Sequence, residues 1–145
     1  MLTDEKIIAE AIRLVNDGVA VTFPVNGRSM LPFIVGGEES VVLEKVGGLQ
    51  VGDVVLADVQ GRYVVHRIVK LQGDDVWLMG DGNLAQQEFC KIENVKAVAT
   101  YAVNAKGKRR SLNAKSQKIA VWLWARLKPL RRWLLLLYRI VKRFL

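Results

Sequence analysis

A single hydroxyl stands between a glycine and a proline in Asn26-Gly27-Arg28-Ser29-Met30-Leu31-Pro32, directly after the apolar run Val19 to Val25. Gly27 admits backbone conformations that side chains resist. Pro32 confines Leu31 to extended geometry and withholds one backbone donor. On such a bend a serine hydroxyl can serve as nucleophile while a neighbouring amide forms half of an oxyanion hole. The same seven residues also suit an ordinary loop serine at a strand-to-turn junction.

The chain's one histidine, His66, lies in Tyr63-Val64-Val65-His66-Arg67-Ile68-Val69. Strand alternation puts it on the face of Val64 and Ile68, with Arg67 on the opposite face in a structural or surface role. A lone histidine on an apolar face is commonly a core residue with a satisfied hydrogen bond. Beside a serine on a bend it has a second use. A general base must be neutral near pH 7 and rigidly held, and an imidazole on a strand among apolar neighbours meets both conditions.

Four short motifs follow one another in order: Gly27-x-Ser29-Met30-x-Pro32, Gly52-Asp53-Val54-Val55, Val65-His66-Arg67-Ile68 and Gly80-Asp81-Gly82-Asn83. Together they resemble the S24/S26 serine peptidases, the group of signal peptidases and LexA-type self-cleaving repressors, over residues 19–103. Most bacterial signal peptidases and the repressors carry a lysine at the place of His66. The His-Arg pair resembles the branch found in the endoplasmic reticulum, archaea and some spore-forming bacteria, which uses serine and histidine. The resemblance implies Ser29 as nucleophile, His66 as general base and Asp81 as the acid that orients the imidazole. Read from its residues alone, Asp81-Gly82 is also an Asx-type turn closing a strand. The histidine-type enzymes carry a second aspartate where this chain has Gln87, with Glu88 next. Three readings stay open: Glu88 substitutes, Asp81 acts alone, or activity is reduced. Gly27 stands where some signal peptidases place a second oxyanion-binding hydroxyl, so backbone amides must form any such hole.

These residues need a scaffold, and 145 residues provide one domain with a modest core. One cysteine, Cys90, excludes an intramolecular disulfide and a cysteine-rich metal site, and one histidine excludes a multi-histidine centre. Neither metal nor organic cofactor is implied. Thr3 caps a helix expected over Asp4 to Asn16, with Ile7, Ile8, Ala11, Ile12 and Val15 on one face and Asp17-Gly18 as its stop. This N-terminus lacks the basic flank and apolar run of a signal peptide. Strands are expected over Val19 to Val25, Ser40 to Glu44, Asp53 to Val59, Arg62 to Leu71, Val76 to Met79 and Lys96 to Val103, with Gln60-Gly61 as a tight hairpin. The expected fold is mainly β: a small S24/S26 peptidase-like domain over residues 1–104 with an N-terminal helix. A basic linker, 105–117, and C-terminal amphipathic helices, 118–145, complete the chain.

Charge divides along the same boundary. Residues 1–104 hold 9 basic and 14 acidic side chains, a net of −5, whereas residues 105–145 hold 13 basic and no acidic ones. An acidic body with a basic tail points to an anionic partner for the tail. Ile119, Leu123 and Leu127 repeat at helical spacing, Pro129 interrupts, and residues 130–145 form a second amphipathic wheel. On that wheel Arg131, Arg132, Arg139, Lys142 and Arg143 gather in one arc, with Leu135 alone among them. Trp133, Leu134, Leu137, Ile140, Val141 and Phe144 lie opposite. No apolar run reaches the roughly 18–20 residues that cross a bilayer. With Trp122, Trp124 and Trp133 added to the cations, the pattern is that of helices lying in an anionic headgroup plane, the competing use being docking on the chain's own domain. Nucleic acid is disfavoured, because no base-stacking or groove-reading motif accompanies the charge.

The expectation is therefore a serine endopeptidase, peripherally attached to the cytoplasmic face of a membrane, that cleaves an extended peptide or precursor protein. The alternative is a noncatalytic lipid-binding adaptor on the same scaffold.

Overall fold

The computed structural model describes residues 4–25, 30, 33–82, 87–112, 126 and 130–144. Helix α1, Asp4–Asn16, precedes eight strands: β1 (Val21–Pro24), β2 (Ser40–Glu44), β3 (Val54–Val59), β4 (Arg62–Gln72), β5 (Asp75–Met79), β6 (Glu88–Lys91), β7 (Val95–Val103) and β8 (Arg109–Ser111). A 3₁₀ turn, Ile92–Asn94, joins β6 to β7, and helix α2, Arg131–Phe144, follows. All described pairings are antiparallel, in the order β1-β2-β7-β3-β4-β5-β6, with β8 beside β7. The protein is mainly β, as its many short glycine-punctuated strands predict.

The sheet curls because its ladders slip. Register shifts between Val42 and Leu43, between Leu56 and Ala57, and between Ile68 and Lys70 each place an extra residue on one strand. Such bulges bend a strand and increase its twist. The curl brings β6 back toward β3.

β3 is apolar except for Asp58 because both of its faces are covered. Val54 and Leu56 join Val15, Met30, Ile34, Val41, Leu43 and Ala99 on one side. Val55, Ala57 and Val59 join Ile68, Val76, Leu78 and Cys90 on the other. α1 covers the first side through Val15, with Ile8 and Ile12 packed against it. Gly18, at φ +88°, ends the helix, and its amide bonds the Val15 carbonyl at 2.9 Å.

The segment expected to be a linker adds to the sheet. β8 pairs Ser111 with Tyr101 and Arg109 with Val103, and Leu112 is buried in the first core. Arg110 donates to the Phe33 carbonyl and to Glu39, which fastens this otherwise polar strand to the body.

Candidate functional site

β4 carries the central side chains, and the β3–β4 hairpin sets their positions. Gln60 and Gly61 both have positive φ, 52° and 83°, the conformation that two-residue hairpins use. The Gly61 amide also donates to the Asp58 carboxylate at 2.9 Å. This fixes Val59 opposite Arg62 and, four residues on, Val55 opposite His66.

His66 is 7% exposed, and its neighbours Val64 and Ile68 belong to the second core. β6 brings an acid to it. The side chain of Glu88 is nearly buried, with Oε1 2.5 Å from His66 Nδ1 and Oε2 accepting from Arg62 at 3.0 Å. The Nδ1 contact is short but lies outside hydrogen-bond geometry, so Nδ1 has no aligned partner among the described residues. Burial pushes the imidazole pKa below its ordinary 6.5. The Glu88 carboxylate opposes that fall, as Asp81 does more weakly, and Arg62 adds to it; burial wins. The result is an imidazole whose neutral form burial favours and which faces a carboxylate at one ring nitrogen.

Arg67 points to the opposite face, as alternation requires, and is buried there. Its Nε donates to Asp81 Oδ1 at 2.9 Å, Nη2 to Oδ2 at 2.7 Å, and Nη1 to the Gly52 carbonyl at 2.7 Å. The Phe33 ring lies 5.4 Å from the guanidinium. One forked cation thus ties the end of β5 and the turn before β3 to the centre of β4. Asp81 is buried, and its charge also acts on Arg131 of α2. The Asp81 carboxylate is therefore bound by Arg67, while Glu88 is the acid in contact with His66.

Ser29 lies outside the described residues, as do Gly27 and Asn83. The elements flanking Ser29 are described. The Val25 amide donates to the Glu39 carbonyl at 3.3 Å and the Gly37 amide to the Val25 carbonyl at 2.7 Å, which closes the base of this segment. Met30, the next residue, is buried in the first core, and its carbonyl accepts from the Phe33 and Ile34 amides, both at 3.0 Å.

In the tail, Trp122 and Trp124 lie outside the described residues. Trp133, Arg132, Arg139 and Arg143 are exposed. Arg131 is instead buried, and Lys142 pairs with Glu38 at 3.0 Å. Leu135, the one apolar residue within the cationic arc, is buried too. Its position among charges was the available sequence signal that this arc faces the body.

Sequence alone leaves Glu88 undecided, because β6 forms only through its pairing with β5. Among the described residues, no group of three His, Cys, Asp or Glu side chains is arranged to hold a metal ion.

No curated protein matches the chain. The profile of the family described as Peptidase S24-like matches residues 3–102, a span that contains Ser29, His66, Asp81 and Glu88. With more than half of its length matched, the chain belongs to the Peptidase S24-like family.

Proposed function

We propose that the protein is a serine endopeptidase in which His66 activates Ser29 and Glu88 orients His66. The observation that carries this reading is the buried imidazole with a carboxylate 2.5 Å from Nδ1, an environment whose burial pushes the imidazole pKa down. With the acid beside Nδ1, Nε2 is the nitrogen that takes the serine proton. Ser29 Oγ then bonds to the peptide carbonyl carbon. The C–N bond breaks as imidazolium returns the proton to the departing amine, and water releases the acyl group by the same steps in reverse roles. Backbone amides at the Ser29 bend would bind the oxyanion. Glu88 favours the imidazolium formed in the transition state. Asp81 supports the same charge from a distance while holding β4 through Arg67.

The substrate in this proposal is an extended peptide or precursor segment, and the basic tail attaches the enzyme peripherally to an anionic membrane at its cytoplasmic face. Cleavage of a peptide library by purified full-length protein tests the catalytic reading. Ser29→Ala and His66→Ala should each abolish cleavage while circular dichroism shows the fold retained. Cleavage that survives Ser29→Ala would remove the proposed nucleophile, and no cleavage by the parent protein would favour a noncatalytic scaffold.

A further inference from the structure

A helix that covers a protein core ordinarily turns its apolar arc inward. α2 does the reverse. Arg131 and Leu135 are buried, Tyr138 is half-buried and Lys142 pairs with Glu38, and these four positions share one face. Trp133, Leu136, Leu137, Ile140 and Val141 form the outward arc, with Trp133 65% and Leu137 57% exposed. Arg132, Arg139 and Arg143, spaced by seven and four residues, line one flank between the docked face and the apolar arc, and all three are exposed.

We infer that the outward arc of α2 is a docking surface for an anionic bilayer, and that α2 is part of the wall of the body. Charge selects this occupant. A strip of indole and aliphatic side chains bordered by three guanidiniums fits the boundary between acyl chains and anionic headgroups. Residues 105–145 contain no acid that would oppose such a surface. A second copy docking antiparallel by the same arc would bring like-charged arginine rows together. Among the described residues no helix is long and apolar enough to cross a membrane, so α2 lies along the surface.

The placement of α2 gives the attachment an orientation. Its first turn sits where the Asp81 charge acts on Arg131, and its last turn reaches Glu38, in the segment that leads from Ser29 to β2. Lipid against the outward arc of α2 therefore faces the side of the body that carries Asp81 and Glu38. For substrate choice this rests on the peptidase reading: the peptide bonds available to Ser29 would be those exposed at a membrane surface.

The test is co-sedimentation of full-length protein with vesicles of phosphatidylcholine alone or mixed with phosphatidylglycerol. The parent protein should bind the mixed vesicles, and added salt should weaken that binding. Trp133→Ser with Leu137→Ser and Ile140→Ser should weaken it at least tenfold without lowering the melting temperature, because those side chains are exposed. Arg132→Gln with Arg139→Gln and Arg143→Gln should weaken binding to mixed vesicles only. Failure of the parent protein to bind would overturn the inference. So would a lower melting temperature in the apolar variant, or a parent dimer that this variant dissociates. Ser29→Ala should bind vesicles like the parent. Vesicle binding without peptidase activity defeats the catalytic reading alone, and activity without vesicle binding defeats this inference alone.

Discussion

Removing the Asp81 carboxylate should unfold the protein more readily without disabling its chemistry. In Asp81→Ala, Arg67 loses three N–H···O contacts of 2.7 to 3.2 Å and keeps the Gly52 carbonyl and the Phe33 ring. Arg67 is only 4% exposed, so water cannot replace the carboxylate. Breaking one side of a buried pair costs about 3–5 kcal/mol, whereas replacing both partners with apolar groups is often neutral. Against a typical domain stability of about 5–15 kcal/mol this is a large fraction. With a urea slope of about 2 kcal/mol per molar, the unfolding midpoint should fall by about 2 M. Arg67→Met in the Asp81→Ala background should recover at least half of that loss. Urea titration followed by tryptophan fluorescence, over the full double-mutant cycle, gives the coupling directly. Cleavage per folded molecule in Asp81→Ala should stay within about tenfold of the parent, since Asp81 reaches His66 through charge alone. A loss below about 1 kcal/mol, no recovery in the double variant, or a thousandfold fall in rate at full folding would refute the assignment of Asp81 to the scaffold.

Four further outcomes follow from the same geometry. Glu88→Gln should reduce kcat/KM by roughly 10³-fold or more, by comparison with about 10⁴ for removal of the charge from a serine-protease triad, and steady-state kinetics on a cleaved peptide would show it. The rate should fall as pH drops through a His66 midpoint below the ordinary 6.5 and stay level above it; a midpoint at or above 6.5 would contradict burial as the dominant influence. The linked effect on stability has a definite sign: the folded pKa is the lower one, so the unfolded chain binds more protons below 6.5, and stability should decline from there down to the folded pKa, an effect that His66→Gln should remove from a pH series of urea midpoints. Gly61→Ala, at φ +83°, should cost about 1–2 kcal/mol in the same denaturation assay, because a Cβ disfavours the left-handed region the hairpin needs.

What was legible in the sequence was what local chemistry decides. Gln60-Gly61 announces its turn through residue type, and the turn sets the register that pairs Val55 with His66. Alternation then separates His66 from Arg67, and Asp17-Gly18 ends α1 where its capping geometry shows. The unforeseen features depend on distant partners. Glu88-Phe89-Cys90-Lys91 is four residues long and lacks a glycine or proline beside it, so only its pairing with Asp75 to Leu78 makes it a strand. Without that strand, the approach of Glu88 to His66 across the curled sheet has no local sign. Arg109–Ser111 reads as solvated linker because its anchors are Leu112 in the core and Glu39 on another element. On α2 the wheel separates apolar from cationic residues, yet Leu135 is the residue that shows which side meets the body.

The catalytic claim is tested most directly by labelling full-length protein with a fluorophosphonate across a pH series and locating the adduct by mass spectrometry. The expected result is a single adduct on Ser29. Its rate of formation should rise with pH to a plateau through a midpoint below 6.5, and it should be lost in His66→Ala and strongly slowed in Glu88→Gln. An unlabelled Ser29, or labelling of Ser29 at the same rate in His66→Ala, would contradict the account.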